Sequence, residues 1–134
     1  MTMYLLDTNH LSPIVTLGHV LRDKILTQLD RGNSFAITAP VLNEFLFGIL
    51  ALPRSQQNAQ IWRKLQADFI YYAVEPADAE RAVDLRIQLR QAGRQLELVD
   101  SFTAVVALRY DLILLTKDKD FLAVPQLKQE NWLV

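Results

Sequence analysis

The chain has 134 residues, 51% of them apolar, with 14 Lys+Arg against 15 Asp+Glu and a net charge of −1. That length supports one domain with a sizeable core, expected to span residues 1–134, and leaves no room for a second of ordinary size. The near-neutral balance excludes a protein that coats duplex nucleic acid through bulk charge, so any such contact must come from a few local basic side chains.

The absence of cysteine excludes disulfides, thiolate nucleophiles and Cys-ligated zinc. No apolar run approaches the roughly 18 residues of a membrane span, and no basic-then-apolar stretch opens the sequence as a secretory signal would. A cytoplasmic protein with no membrane partner is expected.

In chain order, Met3–Leu6 reads as a short buried strand, and Thr8, Asn9 and Ser12-Pro13 suit helix starts. Val20, Leu21, Ile25, Leu26 and Leu29 carry a helical pattern, closed by the turn Arg31-Gly32-Asn33-Ser34. Phe35–Ile37 reads as a second strand. Thr38 then caps a helix with Pro40 just inside it, and Glu44 falls in the second turn near its apolar face. Pro53-Arg54-Ser55 breaks the chain, and Ser55 caps a helix through Trp62 and Phe69. Ile70–Val74 reads as a third strand. Pro76 opens a helix with an apolar stripe of Ala82, Leu85, Leu89 and Ala92, stopped by Gly93. Asp100 lies at the start of a helix through Leu108. Leu112–Leu115 reads as a strand, Asp118–Leu122 as a helical turn and Trp132–Val134 as a last edge strand. Strands alternating with helices predict an α/β fold with a mainly parallel sheet, whose ligands sit outside the carboxyl ends of the strands.

Acidic residues gather where the apolar runs stop. Asp7 follows Leu5-Leu6, Glu44 comes soon after Phe35–Ile37, Asp100 follows Leu98-Val99, and Asp118 and Asp120 follow Leu112–Leu115. Carboxylates brought to one rim repel one another unless a divalent cation neutralises them or their pKa values rise. Hard oxygen donors suit Mg²⁺ or Mn²⁺. Each acid also has an ordinary structural role open to it. Asp7 can cap a helix, Asp100 can sit in a first turn favoured by the helix dipole, and Asp118 and Asp120 can be loop acids. Glu44 resists this reading, because an unpaired charge beside Val41, Leu42, Phe45 and Leu46 is costly.

These motifs resemble those of the PIN-domain ribonucleases, and most closely the VapC-type toxins of bacterial toxin–antitoxin pairs. Leu5-Leu6-Asp7-Thr8-Asn9 resembles the opening acid motif, and Leu42-Asn43-Glu44-Phe45 with Gly48 the second. Asp100 followed by Ala104, Ala107 and Leu108 is similar to the third, and Leu115-Thr116-Lys117-Asp118-Lys119-Asp120-Phe121 to the closing motif. Asn131-Trp132 resembles the last strand. Two departures stand out. Thr103 and Val105-Val106 replace small residues, and Asp118 and Asp120 both offer a closing acid.

The resemblance implies a three-layer α/β/α fold with a sheet of about four to five strands. It implies hydrolysis of RNA phosphodiesters with Mg²⁺ or Mn²⁺, leaving 5′-phosphate and 3′-hydroxyl ends. Asp7, Glu44 and Asp100 would hold the principal cation. Asp118 would orient water or a second cation, and Asp120 would be a second ligand or a loop-fixing residue. Thr116 and Asn9 would support the site. Lys117 and Lys119, which flank it, are candidates for contacting RNA phosphates. A cognate antitoxin and a homodimeric partner are implied as well.

Two other functions remain open at this level. One is an aspartyl-phosphate phosphotransferase, though Asn9 stands where a haloacid-dehalogenase-like site needs an acid. The other is a degenerate PIN domain that only binds RNA or protein. His10 and His19 show no orienting partner for a metal-free acid–base pair and read as surface residues. Arg86, Arg90 and Arg94 read as a solvated helix face, and Trp62, Phe69, Tyr71 and Tyr72 as core or interface.

Overall fold

The computed structural model describes residues 1–133. Among them the strands β1 (Met3–Leu6), β2 (Ser34–Thr38), β3 (Ile70–Tyr72), β4 (Ile113–Leu115) and β5 (Gln129–Glu130) form a five-stranded sheet in the order β3-β2-β1-β4-β5. Every pairing is parallel. The helices are α1 (Thr8–Leu11), α2 (Val20–Asp30), α3 (Ala39–Leu50), α4 (Ser55–Leu65), α5 (Pro76–Gln91) and α6 (Leu98–Arg109). None is long and apolar enough to cross a membrane.

The period of two along each strand divides the core between the sheet's faces. Leu5, Ala36 and Leu114 point into one cluster, built with Ala82, Leu85 and Leu89 of α5 and Ala104 and Val106 of α6. Leu6, Phe35, Ile37 and Leu115 point into the other, with Leu21 and Ile25 of α2, Val41 and Phe45 of α3 and Trp62 of α4. Both faces are therefore covered by helices. This explains why β1 and β4 read as continuous apolar runs rather than alternating ones. The result is the three-layer α/β/α arrangement.

The order of strands positions the site. From β1 the chain crosses to β2 on one side and later reaches β4 on the other. Adjacent strands that diverge in this way leave a crevice beyond their carboxyl ends. Asp7 lies directly after β1, and Thr116 to Asp118 directly after β4.

α5 and α6 run antiparallel. Arg109 in the last turn of α6 reaches Glu75 at 3.2 Å and Asp78 at 3.3 Å, both at the start of α5. Asp78 is fully buried and completes a capping box with Glu75. The opposite end of the pair brings the close of α5 beside the first turn of α6, where Asp100 stands.

Some elements depart from the sequence reading. Trp132–Val134 is not the last strand as described. β5 is Gln129–Glu130, Trp132 and Leu133 lie outside the sheet, and Val134 lies outside the described residues. Trp132 gives its backbone N–H to His10 Nε2 at 2.9 Å, and its ring packs on Tyr4 and Phe35. β3 stops at Tyr72, ahead of Ala73 and Val74. Ser55 is the first residue of α4, with Arg54 at the cap position, and Phe69 follows a 3-10 turn after that helix has ended.

Gly93 ends α5 as expected. It has φ +74°, its N–H reaches Arg90 O at 3.0 Å, and Arg94 N–H reaches Leu89 O at 2.8 Å. This double closure requires a left-handed residue. Gly93→Ala adds a Cβ to that conformation and is expected to lower unfolding free energy by about 1 kcal/mol. Thermal or urea melts would read the loss, and unchanged stability would mean that the turn can be made another way.

Candidate active site

The sheet and the start of α1 together fix Asp7. Its N–H extends the β1–β4 ladder to Leu115 O at 3.0 Å, and its side chain caps α1 by accepting from Thr8 N–H at 2.9 Å. The other carboxylate oxygen, Oδ2, accepts from Thr116 Oγ1 at 2.7 Å and from Asn9 Nδ2 at 3.1 Å. Asp7 is only 6% exposed. Burial pushes its carboxyl pKa up and Asp118 adds to this, while the bonds from Thr116, Thr8 and Asn9 oppose them. Capping and membership of the acidic group thus coexist in one residue.

Thr116 joins the two strand ends. It donates to Asp7 while its oxygen accepts from Asp118 N–H at 3.0 Å. Asp118 in turn caps the 3-10 turn Lys119–Ala123, accepting from Asp120 N–H at 2.9 Å. Asp120 is exposed, as are Lys117 and Lys119 on either side of Asp118.

Glu44 and Asp100 approach from helices, with α3 packed against both α1 and α6. Glu44 corrects one expectation. Val41, Phe45 and Ile49 take the buried face of α3, whereas Glu44 is exposed on the turn between them. Its carboxyl pKa is still raised, by partial desolvation and then by Asp7. Asp100 is partly buried in the first turn of α6, and its carboxyl is pushed up to about 7. Burial is the largest cause, followed by the charges of Asp7, Asp118, Glu44 and Asp120.

The charges of the other four acids therefore converge on Asp100. Among the described residues, no three acidic or histidine side chains close into a finished ligand cage. Asp118 bears on both Asp7 and Asp100, while Asp120 bears on Asp100 alone among the shifted acids. Asp118 is accordingly the more central of the closing pair.

His10 is fully buried, contrary to its reading as a surface residue. Its Nε2 accepts from Trp132 N–H, and its Nδ1 lies 2.6 Å from Asn9 Oδ1. A four-residue helix shows no periodicity from which that burial can be read. His19 is half-buried and caps α2 by accepting from Leu21 N–H at 3.0 Å. Arg86, Arg90 and Arg94 are exposed, Trp62 and Phe69 are buried, Tyr72 is half-buried and Tyr71 is exposed.

A model of the PIN domain matches residues 4–127, so the chain belongs to the PIN domain family. No curated protein matches its sequence. Its fold is similar to a chain of the Rickettsia felis VapBC2 complex bound to a promoter DNA fragment, with TM-score 0.84 and 23% identity over 98% of this chain and 99% of that one. It is also similar to a chain of DNA-bound VapBC from Salmonella typhimurium, with TM-score 0.81 and 19% identity over 98% and 99%. A third similar structure is VapC20 of Mycobacterium tuberculosis, described as a sarcin-ricin loop cleaving toxin, with TM-score 0.66 and 16% identity over 92% and 95%.

The raised Asp100 pKa has a definite thermodynamic sign. In the metal-free protein the folded state holds this proton up to about pH 7, whereas an unfolded Asp releases it near pH 4. Stability from this group is full below about pH 4 and is lost as pH rises to about 7. Asp100→Asn, which mimics the protonated form, should gain on the wild type across that window. The expected gain is roughly 2 kcal/mol once solvent screening is allowed for. Paired thermal melts at several pH values in EDTA would show it, and a difference that stays flat with pH would contradict the assignment.

Proposed function

We propose that this chain is a divalent-metal-dependent endoribonuclease, the toxin of a toxin–antitoxin pair, acting in the cytoplasm. The observation that carries the reading is the gathering of acids beyond the strand ends, where buried Asp7 is held by Thr8, Asn9 and Thr116 and where burial and four other acids push the Asp100 carboxyl up to about 7. A site that keeps so many carboxylates in mutual repulsion is suited to a cation, and its donors are the hard oxygens that Mg²⁺ and Mn²⁺ take.

Asp7, Glu44 and Asp100 are the residues assigned to hold that cation, with Asp118 beside them and Asp120 as an outer acid. A bound divalent ion supplies a more acidic water and charge stabilisation at a scissile phosphate. The remaining work belongs to the chain. Thr116, Thr8 and Asn9 fix the Asp7 carboxylate, leaving it little freedom to turn. Asp118, whose backbone N–H donates to Thr116 Oγ1, would orient the attacking water. The exposed Lys117 and Lys119 offer positive charge to the RNA backbone.

Membership of the PIN family supports nuclease chemistry. The described activity of the similar VapC20 toxin supports RNA as the substrate, and the VapBC complexes support a small antitoxin as partner. A homodimer is part of the same proposal. An aspartyl-phosphate mechanism is less well supported, because its nucleophile would be Asp7, which is 6% exposed and already accepts from three donors.

With a structured RNA, Mg²⁺ or Mn²⁺ should permit cleavage and EDTA should stop it. Asp7→Asn and Asp100→Asn should each lower kcat/KM by roughly 100-fold or more. Full activity in both variants would remove the mechanism.

A further inference from the structure

We propose that His10 is a positioning residue for the acidic centre, locking the Asn9 amide so that its NH₂ group, and not its oxygen, faces Asp7. The inference rests on the proposed role of Asp7 and extends it to a residue with no direct contact to that carboxylate.

The argument starts at Trp132. Its backbone N–H points at His10 Nε2 from 2.9 Å, so that nitrogen is the acceptor and carries no proton. A neutral imidazole has one N–H, which must then be on Nδ1. Nδ1 lies 2.6 Å from Asn9 Oδ1 and donates to it. The same oxygen accepts from Lys117 N–H at 3.3 Å, so two donors converge on it. The amide is thereby oriented, and its Nδ2 donates to Asp7 Oδ2 at 3.1 Å.

The opposite arrangement fails at each link. A proton on Nε2 would confront the Trp132 N–H, donor against donor. Bare Nδ1 would then confront Asn9 Oδ1, and turning the amide to relieve this would aim an oxygen at the Asp7 carboxylate. A protonated ring fails at the first link for the same reason. Burial, Lys117 and Lys24 all disfavour the charged ring and bring its pKa down to about 4. The far end of the chain of bonds is anchored too. The Trp132 indole packs edge-on against the stacked pair of Tyr4 and Phe35, with Lys24 Nζ 4.1 Å from its ring centre.

The test uses the full chain with three variants that separate the two ring nitrogens. His10→Asn keeps an N–H donor close to the position of Nδ1. His10→Gln keeps an acceptor near Nε2 and loses the donor, and His10→Phe loses both. Melts confirm that each is folded at the assay temperature. The expected result is about a tenfold or greater fall in kcat, with little change in KM, for the Gln and Phe variants. Mn²⁺ affinity, read by calorimetry without RNA, should fall with it. His10→Asn should stay within about threefold of wild type. Imidazole ¹⁵N spectra of the unmodified protein should show a neutral, Nδ1-protonated ring at pH 6 and above. An Nε2-protonated or averaged ring would overturn the proposal without any variant. Asp7→Asn is measured alongside. If it is impaired while the Gln and Phe variants match wild type, the role of His10 alone falls. If Asp7→Asn itself cleaves RNA and binds Mn²⁺ normally, the reading of the acidic centre falls with it.

Discussion

One constraint governs this molecule: a carboxylate, Asp7, is set at the mouth of a parallel sheet with almost no water to solvate it. It is tolerated because three donors reach it from both sides of the crevice, Thr8 and Asn9 from the turn after β1 and Thr116 from the end of β4. Hydrogen bonds to an ionised acceptor are stronger than neutral ones. Here they also tie together strands whose residues are more than a hundred positions apart. The same bonds that stabilise the acid therefore fix the relative position of the two strand ends on which the site is built.

The other acids add a second constraint that pulls the opposite way. Glu44 and Asp100 come from helices on opposite faces of the sheet, and Glu44 adds to the cost of ionising Asp100. Asp100 absorbs most of this because it is both partly buried and within reach of all four other charges. Exposed Glu44 responds less, as solvent screening requires. The fold does not relieve the repulsion with a basic partner. Among the described residues none of these acids forms an ion pair, and the pairing of Arg109 with buried Asp78 lies at the other end of α6.

What could be read from the sequence followed from local rules. β1, β2 and β4 announce themselves as short apolar runs, and Pro40, Pro76 and Gly93 mark helix ends through backbone constraints alone. Asp7, Asp100, Asp118 and Asp120 are legible at element boundaries for the same reason, whereas Glu44 lies within α3. The failures are those of tertiary context. Glu44 has apolar neighbours in sequence, yet the 3.6-residue period turns it out of the core while Val41 and Phe45 turn in. His10 lies in a helix of one turn, so nothing local shows that it is buried. Trp132 looks like a strand residue, but its N–H is committed to an imidazole 122 positions away. A contact of that range leaves no trace in either neighbourhood.

The burial of His10 bears on what the centre can bind. Imidazole is the commonest protein ligand for transition metals, and a histidine three residues from Asp7 would ordinarily be a candidate. Here Nε2 accepts from Trp132 N–H and Nδ1 donates to Asn9 Oδ1, so neither ring nitrogen is open to a cation. His19 caps α2 through Nδ1. With no cysteine in the chain, every anionic donor facing the crevice is a carboxylate oxygen. Carboxylate oxygens are the donor type that suits hard cations, whereas imidazole and thiolate suit the nitrogen- and sulfur-seeking metals. The imidazole beside Asp7 is thus turned onto the Asn9 amide and the Trp132 backbone rather than toward the acids.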